Sequence, residues 1–219
     1  MKLITGDKLL MIGDSVTDVG RSFPVGEGGG EAPLGRGYVS YVDGLLKSIY
    51  PDLPIRVVNM GTSGHTERNL KARWQTDVLD LKPDWVSIMI GINDVWRQFD
   101  RPEMVEAHVY QEEYESTLNE LVAITKPRVK GIVLMTPFFI EASKQDAMRL
   151  EMDQYGAIVR KTAEKHDALF VDTQQAFDAM TAHMYSAAIA WDRVHPNTAG
   201  HMALARAFLN ALDFEWRRS

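Results

Sequence analysis

The sequence predicts a three-layer α/β/α sandwich built on a five-stranded parallel sheet, and three observations lead there. Five short, continuously apolar runs recur along the chain; amphipathic stretches of helical length separate them; and Gly, Asp, Ser and Asn gather just after the first three runs. Strands that are apolar throughout, rather than alternating, are those covered by helices on both faces. Alternation of such strands with helices is the pattern of a parallel sheet joined by crossovers. The expected strands are Lys8–Gly13, Ile55–Met60, Trp85–Ile90, Gly131–Thr136 and Ala168–Asp172.

The helices follow from spacing. Gly37–Ile49 places Tyr38, Tyr41, Val42, Leu45 and Ile49 on one side, and Thr66–Leu79 begins at a threonine able to cap it. Pro102–Thr125 and Lys144–His166 are longer. A last helix starts at Asn197 or Thr198, just past Pro196, and reaches about Leu212 with Met202, Ala205, Phe208, Leu209 and Leu212 on its apolar face. No internal repeat interrupts this order. The 219 residues, 45% hydrophobic, suffice for one buried core, so 1–219 is read as one domain. The stretch Gly26–Gly37 is rich in glycine, but it matches no dinucleotide or phosphate-loop fingerprint and carries two glutamates. It reads as a surface loop that could also form one wall of a mouth beyond strand one.

Composition narrows the function. Lys and Arg total 24 against 30 Asp and Glu, a formal charge of −6, so no basic field exists to hold nucleic acid or an anionic membrane. With no cysteine there is no disulfide framework, thiolate metal site or thiol nucleophile. The six histidines form no H-x-x-x-H or H-E-x-x-H run, and no metal or other cofactor is expected. Met1–Leu10 lacks the apolar run of a leader, and no stretch is long enough to span a bilayer, which reads as cytoplasmic. A secreted form with its leader removed would look the same.

In an open parallel sheet, function collects beyond the carboxyl ends of the strands. Those positions read Gly13-Asp14-Ser15-Val16-Thr17, then Asn59-Met60-Gly61-Thr62-Ser63-Gly64-His65-Thr66, then Gly91-Ile92-Asn93-Asp94; near the other end stands Trp191-Asp192-Arg193-Val194-His195-Pro196. A serine hydroxyl needs a base within reach, and the base needs a third group to fix its tautomer. Asp192 and His195, three residues apart, suit the acid and base, with Ser15 as nucleophile. Each residue alone has an ordinary structural reading: a cap, a turn residue, a surface histidine. Their joint occurrence favours chemistry. His65, His108, His166, His183 and His201 read as surface or packing residues.

The four blocks, in this order, resemble the Ser, Gly, Asn and His blocks of the SGNH hydrolases, the GDSL-type esterases and lipases, from Met11 to about Gly200. The resemblance implies a flavodoxin-like sandwich and a serine esterase whose oxyanion donors are the backbone N–H groups of Ser15 and Gly64 and the side-chain amide of Asn93. The runs around Ser15, Leu34–Tyr38 and Asn93–Arg97 look most like bacterial carbohydrate acetylesterases. That implies a small acetylated saccharide as substrate, such as an acetylated xylo-oligosaccharide. Trp96, Arg97 and Trp191 are the candidates to bind it, although a tryptophan such as Trp191 serves cores and interfaces as readily. Esterases of non-sugar acyl groups, and a non-catalytic sugar-binding domain on the same fold, remain as alternatives. Phe214–Arg218, with Tyr185 and Trp191, are read as anchors for a homo-oligomer, against packing on the chain's own helices.

Overall fold

The structure, a computed structural model, describes residues 1–28 and 30–217. Gly29 of the glycine-rich run and Arg218 of the C-terminal anchor segment lie outside the described residues.

Five strands form one parallel sheet in the order β2-β1-β3-β4-β5. They are β1 (Lys8–Gly13), β2 (Arg56–Gly61), β3 (Trp85–Met89), β4 (Gly131–Met135) and β5 (Leu169–Val171). Each expected strand is present, with edges moved by a residue or so. Because successive side chains alternate faces, the apolar runs split into two cores. Leu9, Met11, Val57, Val133 and Met135 face one way; Leu10, Ile12, Val58, Val86, Ile88, Ile132 and Leu134 face the other.

Helices cover both faces. Tyr38, Val39, Val42 and Leu46 of α2 (Tyr38–Ile49), with Leu204, Ala205, Phe208 and Leu209 of α8 (Thr198–Ala211), close the first core. The second is closed by α3 (Glu67–Ala72), α5 (Gln111–Thr125) and α6 (Ala147–His166), through Leu70, Leu118, Leu121, Tyr155 and Val159. Fully burying a side chain of this kind contributes about 1.5–3 kcal/mol, so the sheet is held from both sides rather than by its ladder alone. Met202 of α8 is exposed, contrary to the expected face; Leu204 takes its place inside.

Three short helices were not expected from spacing: α1 (Ser15–Asp18), α4 (Ile92–Asp100) and α7 (Thr173–Thr181). The expected Pro102–Thr125 helix is corrected accordingly. Pro102 follows the end of α4, a 3₁₀ turn occupies Val105–Ala107, and α5 begins only at Gln111. Thr66–Leu79 is likewise not continuous. Thr66 caps α3 through a reciprocal box with Asn69, the helix stops at Ala72, and Gln75–Leu79 is a π turn. The glycine-rich loop runs along the outer edge of β2, where Glu27 pairs with Arg56 at the strand's start. That part of it lies at the opposite end of β2 from the nucleophile block. No described helix is long and apolar enough to cross a membrane.

The strand order reverses at β1, which pairs with β2 on one side and β3 on the other. Such a switch point opens a crevice at the carboxyl ends of the strands. The segments that follow β1, β2 and β3 all meet there.

Candidate active site

Ser15 opens α1 directly after β1. The preceding Asp14 caps that helix, its Oδ1 accepting from the Val16 N–H at 2.9 Å. Asp18, at the helix end, reaches across to the next block: its Oδ2 accepts from both the N–H and the hydroxyl of Ser63, at 3.1 and 2.7 Å. Asn59 donates to the Thr17 carbonyl at 2.7 Å and accepts from the Gly61 N–H at 2.8 Å. Arg73 spans the same gap, donating to the carbonyls of Gly13 and Met60 and to His65 Nδ1. These bonds, partly or fully buried, lock the Ser15 and Gly64 segments to each other. Sequence reasoning missed Asp18 and Arg73 as positioning groups, since their partners lie on segments far apart in the chain, many of them backbone atoms.

The turn carrying Asp192 and His195 packs against the end of β1. Ser15 Oγ lies 2.9 Å from His195 Nε2, and His195 Nδ1 lies 2.6 Å from Asp192 Oδ2. Asp192 Oδ1 accepts from the N–H groups of His195 and Val194, at 2.8 and 3.0 Å. Burial pushes the Asp192 carboxyl up, but these three bonds more than offset it and hold it below the usual range. An ionised Asp192 keeps the proton on Nδ1 and leaves Nε2 free to accept from Ser15, the tautomer nucleophilic attack requires.

The third block supplies an amide. Gly91, at φ 128°, turns the chain from β3 straight into α4, a conformation that side chains other than hydrogen rarely adopt. Asn93 is buried, and its Nδ2 donates to the His65 carbonyl at 3.0 Å, beside Gly64. Gly64 itself stands at φ +79°. Neither its N–H nor that of Ser15 meets an acceptor among the described residues. The structure thus brings Ser15, Gly64, Asn93, Asp192 and His195 to one crevice.

Beneath it lie buried carboxyls. Burial raises Asp14 to about 7, against the Val16 N–H and His195, which lower it. Asp94 is likewise raised to about 7 by burial, although its Oδ1 accepts from the Glu67 N–H. Glu67 is raised well above the carboxylate range by burial and then by Asp94 and Glu113. Both Glu67 oxygens and Asp94 Oδ2 are buried without a hydrogen-bond partner. His201, read from sequence as surface or packing, is buried; its Nδ1 accepts from the Tyr38 N–H, and burial lowers it to about 4.

The three candidate substrate residues separate. Trp96 meets the His195 ring edge-on at 6.0 Å and borders a cavity of about 290 Å³ with Phe99, Phe139 and Asp192. Arg97 turns back on its own helix, bonding Asn93 and Asp100. Trp191 is 83% exposed, which excludes the core reading, and shares a different depression with Tyr185 and Met184. Phe214 is buried and stacks on Tyr50 and Trp216, so that part of the C-terminal segment packs on its own chain. No three His, Asp or Glu side chains among the described residues are arranged to hold a metal ion.

Comparison with known proteins bears on this geometry. An acetylxylan esterase of Geobacillus stearothermophilus is 64% identical over 219 residues, all of both chains. The solved structure of an acetylxylan esterase from that organism covers both chains fully with a TM-score of 0.98 at 63% identity. Its catalytic mutants, in which a serine, an aspartate or a histidine becomes alanine, match equally well. An α/β hydrolase enzyme from the metagenome of Lake Arreo, Spain, is 53% identical over 97% of this chain and 98% of its own, with a TM-score of 0.95. The model of the GDSL-like Lipase/Acylhydrolase family matches residues 11–203, and this chain belongs to that family.

Proposed function

We propose that this protein is a serine esterase that removes acetyl groups from acetylated xylo-oligosaccharides. The observation that carries the reading is the continuous relay of Ser15, His195 and Asp192, with contacts of 2.9 and 2.6 Å, at the switch point of the sheet. The acetylated xylan substrate is supported by the names of relatives 62–64% identical over their whole length.

Ser15 Oγ attacks the acetyl carbonyl as His195 Nε2 takes its proton. The carbonyl oxygen becomes an oxyanion, met by the N–H groups of Ser15 and Gly64 and by Asn93 Nδ2. Such donors, in place before charge develops, are commonly the largest single contribution to catalysis. Collapse breaks the ester C–O bond; the departing sugar oxygen takes the proton from His195 to leave as the hydroxyl, and acetyl-Ser15 remains. Water, activated by His195, then attacks the acetyl group and releases acetate. Asp192 stays ionised throughout, holding the ring and stabilising the imidazolium. Trp96, beside His195, offers a flat face to the sugar ring.

Acetate release from acetylated xylo-oligosaccharides, followed side by side for the wild type and Ser15→Ala, tests the reading. Release by the wild type alone is expected. Equal release by both sinks the Ser15 mechanism, and a preference for octanoyl over acetyl esters in a chain-length series sinks the substrate class.

A further inference from the structure

Asn93 and Arg97 stand four residues apart on α4, one turn above the other. Arg97 Nη2 donates to Asn93 Oδ1 at 3.1 Å, while Asn93 Nδ2 donates to the His65 carbonyl at 3.0 Å. The two ends of a carboxamide have almost the same shape and opposite hydrogen-bonding character. Turning this one over would set its NH₂ against a guanidinium and its oxygen against a carbonyl. A cation on one side and an acceptor on the other therefore allow a single orientation. In that orientation the second Nδ2 hydrogen has no acceptor among the described residues and is free for a developing oxyanion.

The guanidinium is held as firmly as the group it holds. Arg97 Nη1 bonds the Asp100 carboxylate, its Cζ sits 4.6 Å over the Trp96 ring, and its side chain is only 20% exposed. Beyond orientation, a cation at Oδ1 draws electron density through the conjugated amide, so the free N–H becomes a stronger donor. His65, the other half of the clamp, is fixed in turn by Arg73.

We infer that Arg97 is a positioning residue for the oxyanion amide of Asn93 rather than a contact for the sugar. This rests on the proposed role of Asn93, and the test separates the two. The substrate is p-nitrophenyl acetate, which has no sugar to bind. Steady-state kcat and KM are compared for the wild type, Arg97→Met, Arg97→Lys, Asn93→Ala and the Asn93→Ala/Arg97→Met double variant, with Ser15→Ala as baseline.

Arg97→Met lowers kcat about 10-fold with KM within about twofold of the wild type, a part of the roughly 100- to 1000-fold that outright loss of a donor costs. Arg97→Lys, which keeps a cationic donor, recovers kcat to within about threefold. In the Asn93→Ala background, Arg97→Met adds less than about twofold, since residues acting through one group are not additive. An unchanged kcat, an effect confined to KM, or the same fold loss in both backgrounds overturns the inference. Full activity of Asn93→Ala overturns instead the oxyanion role of Asn93, and full activity of Ser15→Ala the esterase mechanism. Should Arg97→Met not fold, Asp100→Asn, which releases the guanidinium without removing it, is read against Asn93→Ala by the same criteria.

Discussion

Two carboxyl clusters, one partly exposed in the Asp192–His195 turn and one fully buried below Asn93, treat the same chemical group in opposite ways. In the Asp192–His195 turn both oxygens of the acid are engaged, by one imidazole and two backbone N–H groups. In the corner below Asn93, three of the four oxygens of Glu67 and Asp94 have no partner. The Asp192 carboxyl is held below its ordinary range, whereas burial raises Glu67 well above its ordinary value and Asp94 to about 7. Burial acts upward on all three. It acts most strongly on the fully buried Glu67 and Asp94 and less on the partly exposed Asp192, which also has more donors aimed at it, so the turn favours a charge and the corner its absence.

The largest effect expected from breaking this contrast is on activity. Asp192→Asn keeps the shape of the turn but presents an amide to His195, favouring the wrong tautomer; kcat on a small acetyl ester falls by about 10⁴-fold. A loss under 10-fold would show that the charge of the turn is dispensable. The corner responds through stability, with the opposite sign. In the unfolded chain Glu67 ionises near its ordinary value of about 4.3, whereas the fold raises it. Below about pH 4 both states hold the proton. As pH rises above 4 the unfolded chain releases it first and the folded chain holds it longer, so the wild type loses stability as pH rises.

Glu67→Gln removes that penalty. Its Tm rises above the wild type's at pH 8, by about 2–4 °C for each kcal/mol recovered, and the two converge near pH 4 in thermal melts. A gain equal at both pH values would mean that the charge is not its source. Asp94→Asn gives the smallest effect, in the same direction. Because its folded value is about 7, the gain accumulates between about pH 4 and 7 and is constant above that, and the new side chain can still accept from the Glu67 N–H.

The relay was legible in the sequence because nucleophile, base and acid are distinctive residue types at strand ends, and parallel strands deliver their ends to one place. The five strands were legible because apolar runs covered on both faces need no partner to be recognised. Helix α4 was not: Asn93 and Asp94 read as turn formers by propensity, and the contacts that hold them in the helix, the Glu67 N–H on Asp94 and the His65 carbonyl on Asn93, come from a distant segment. The π turn at Gln75–Leu79 was equally hidden behind a regular apolar spacing. Asp18 and Arg73 left no trace because a side chain that bonds remote segments, in part their main chain, imposes no pattern on its own neighbours. Trp191 and Phe214 were one class of residue in the sequence and are opposites in the fold, one exposed and one core.

The exposure of Trp191 has a spectroscopic consequence. Of the five tryptophans, Trp74 and Trp85 are buried, Trp96 and Trp216 are partly covered, and Trp191 stands almost fully in water next to the catalytic aspartate. Red-edge emission that is open to acrylamide therefore comes mainly from the residue beside Asp192. Any molecule that settles over it, sugar or second copy, shifts that emission to the blue and shields it from quencher, so the protein carries an intrinsic optical gauge beside the turn that holds Asp192.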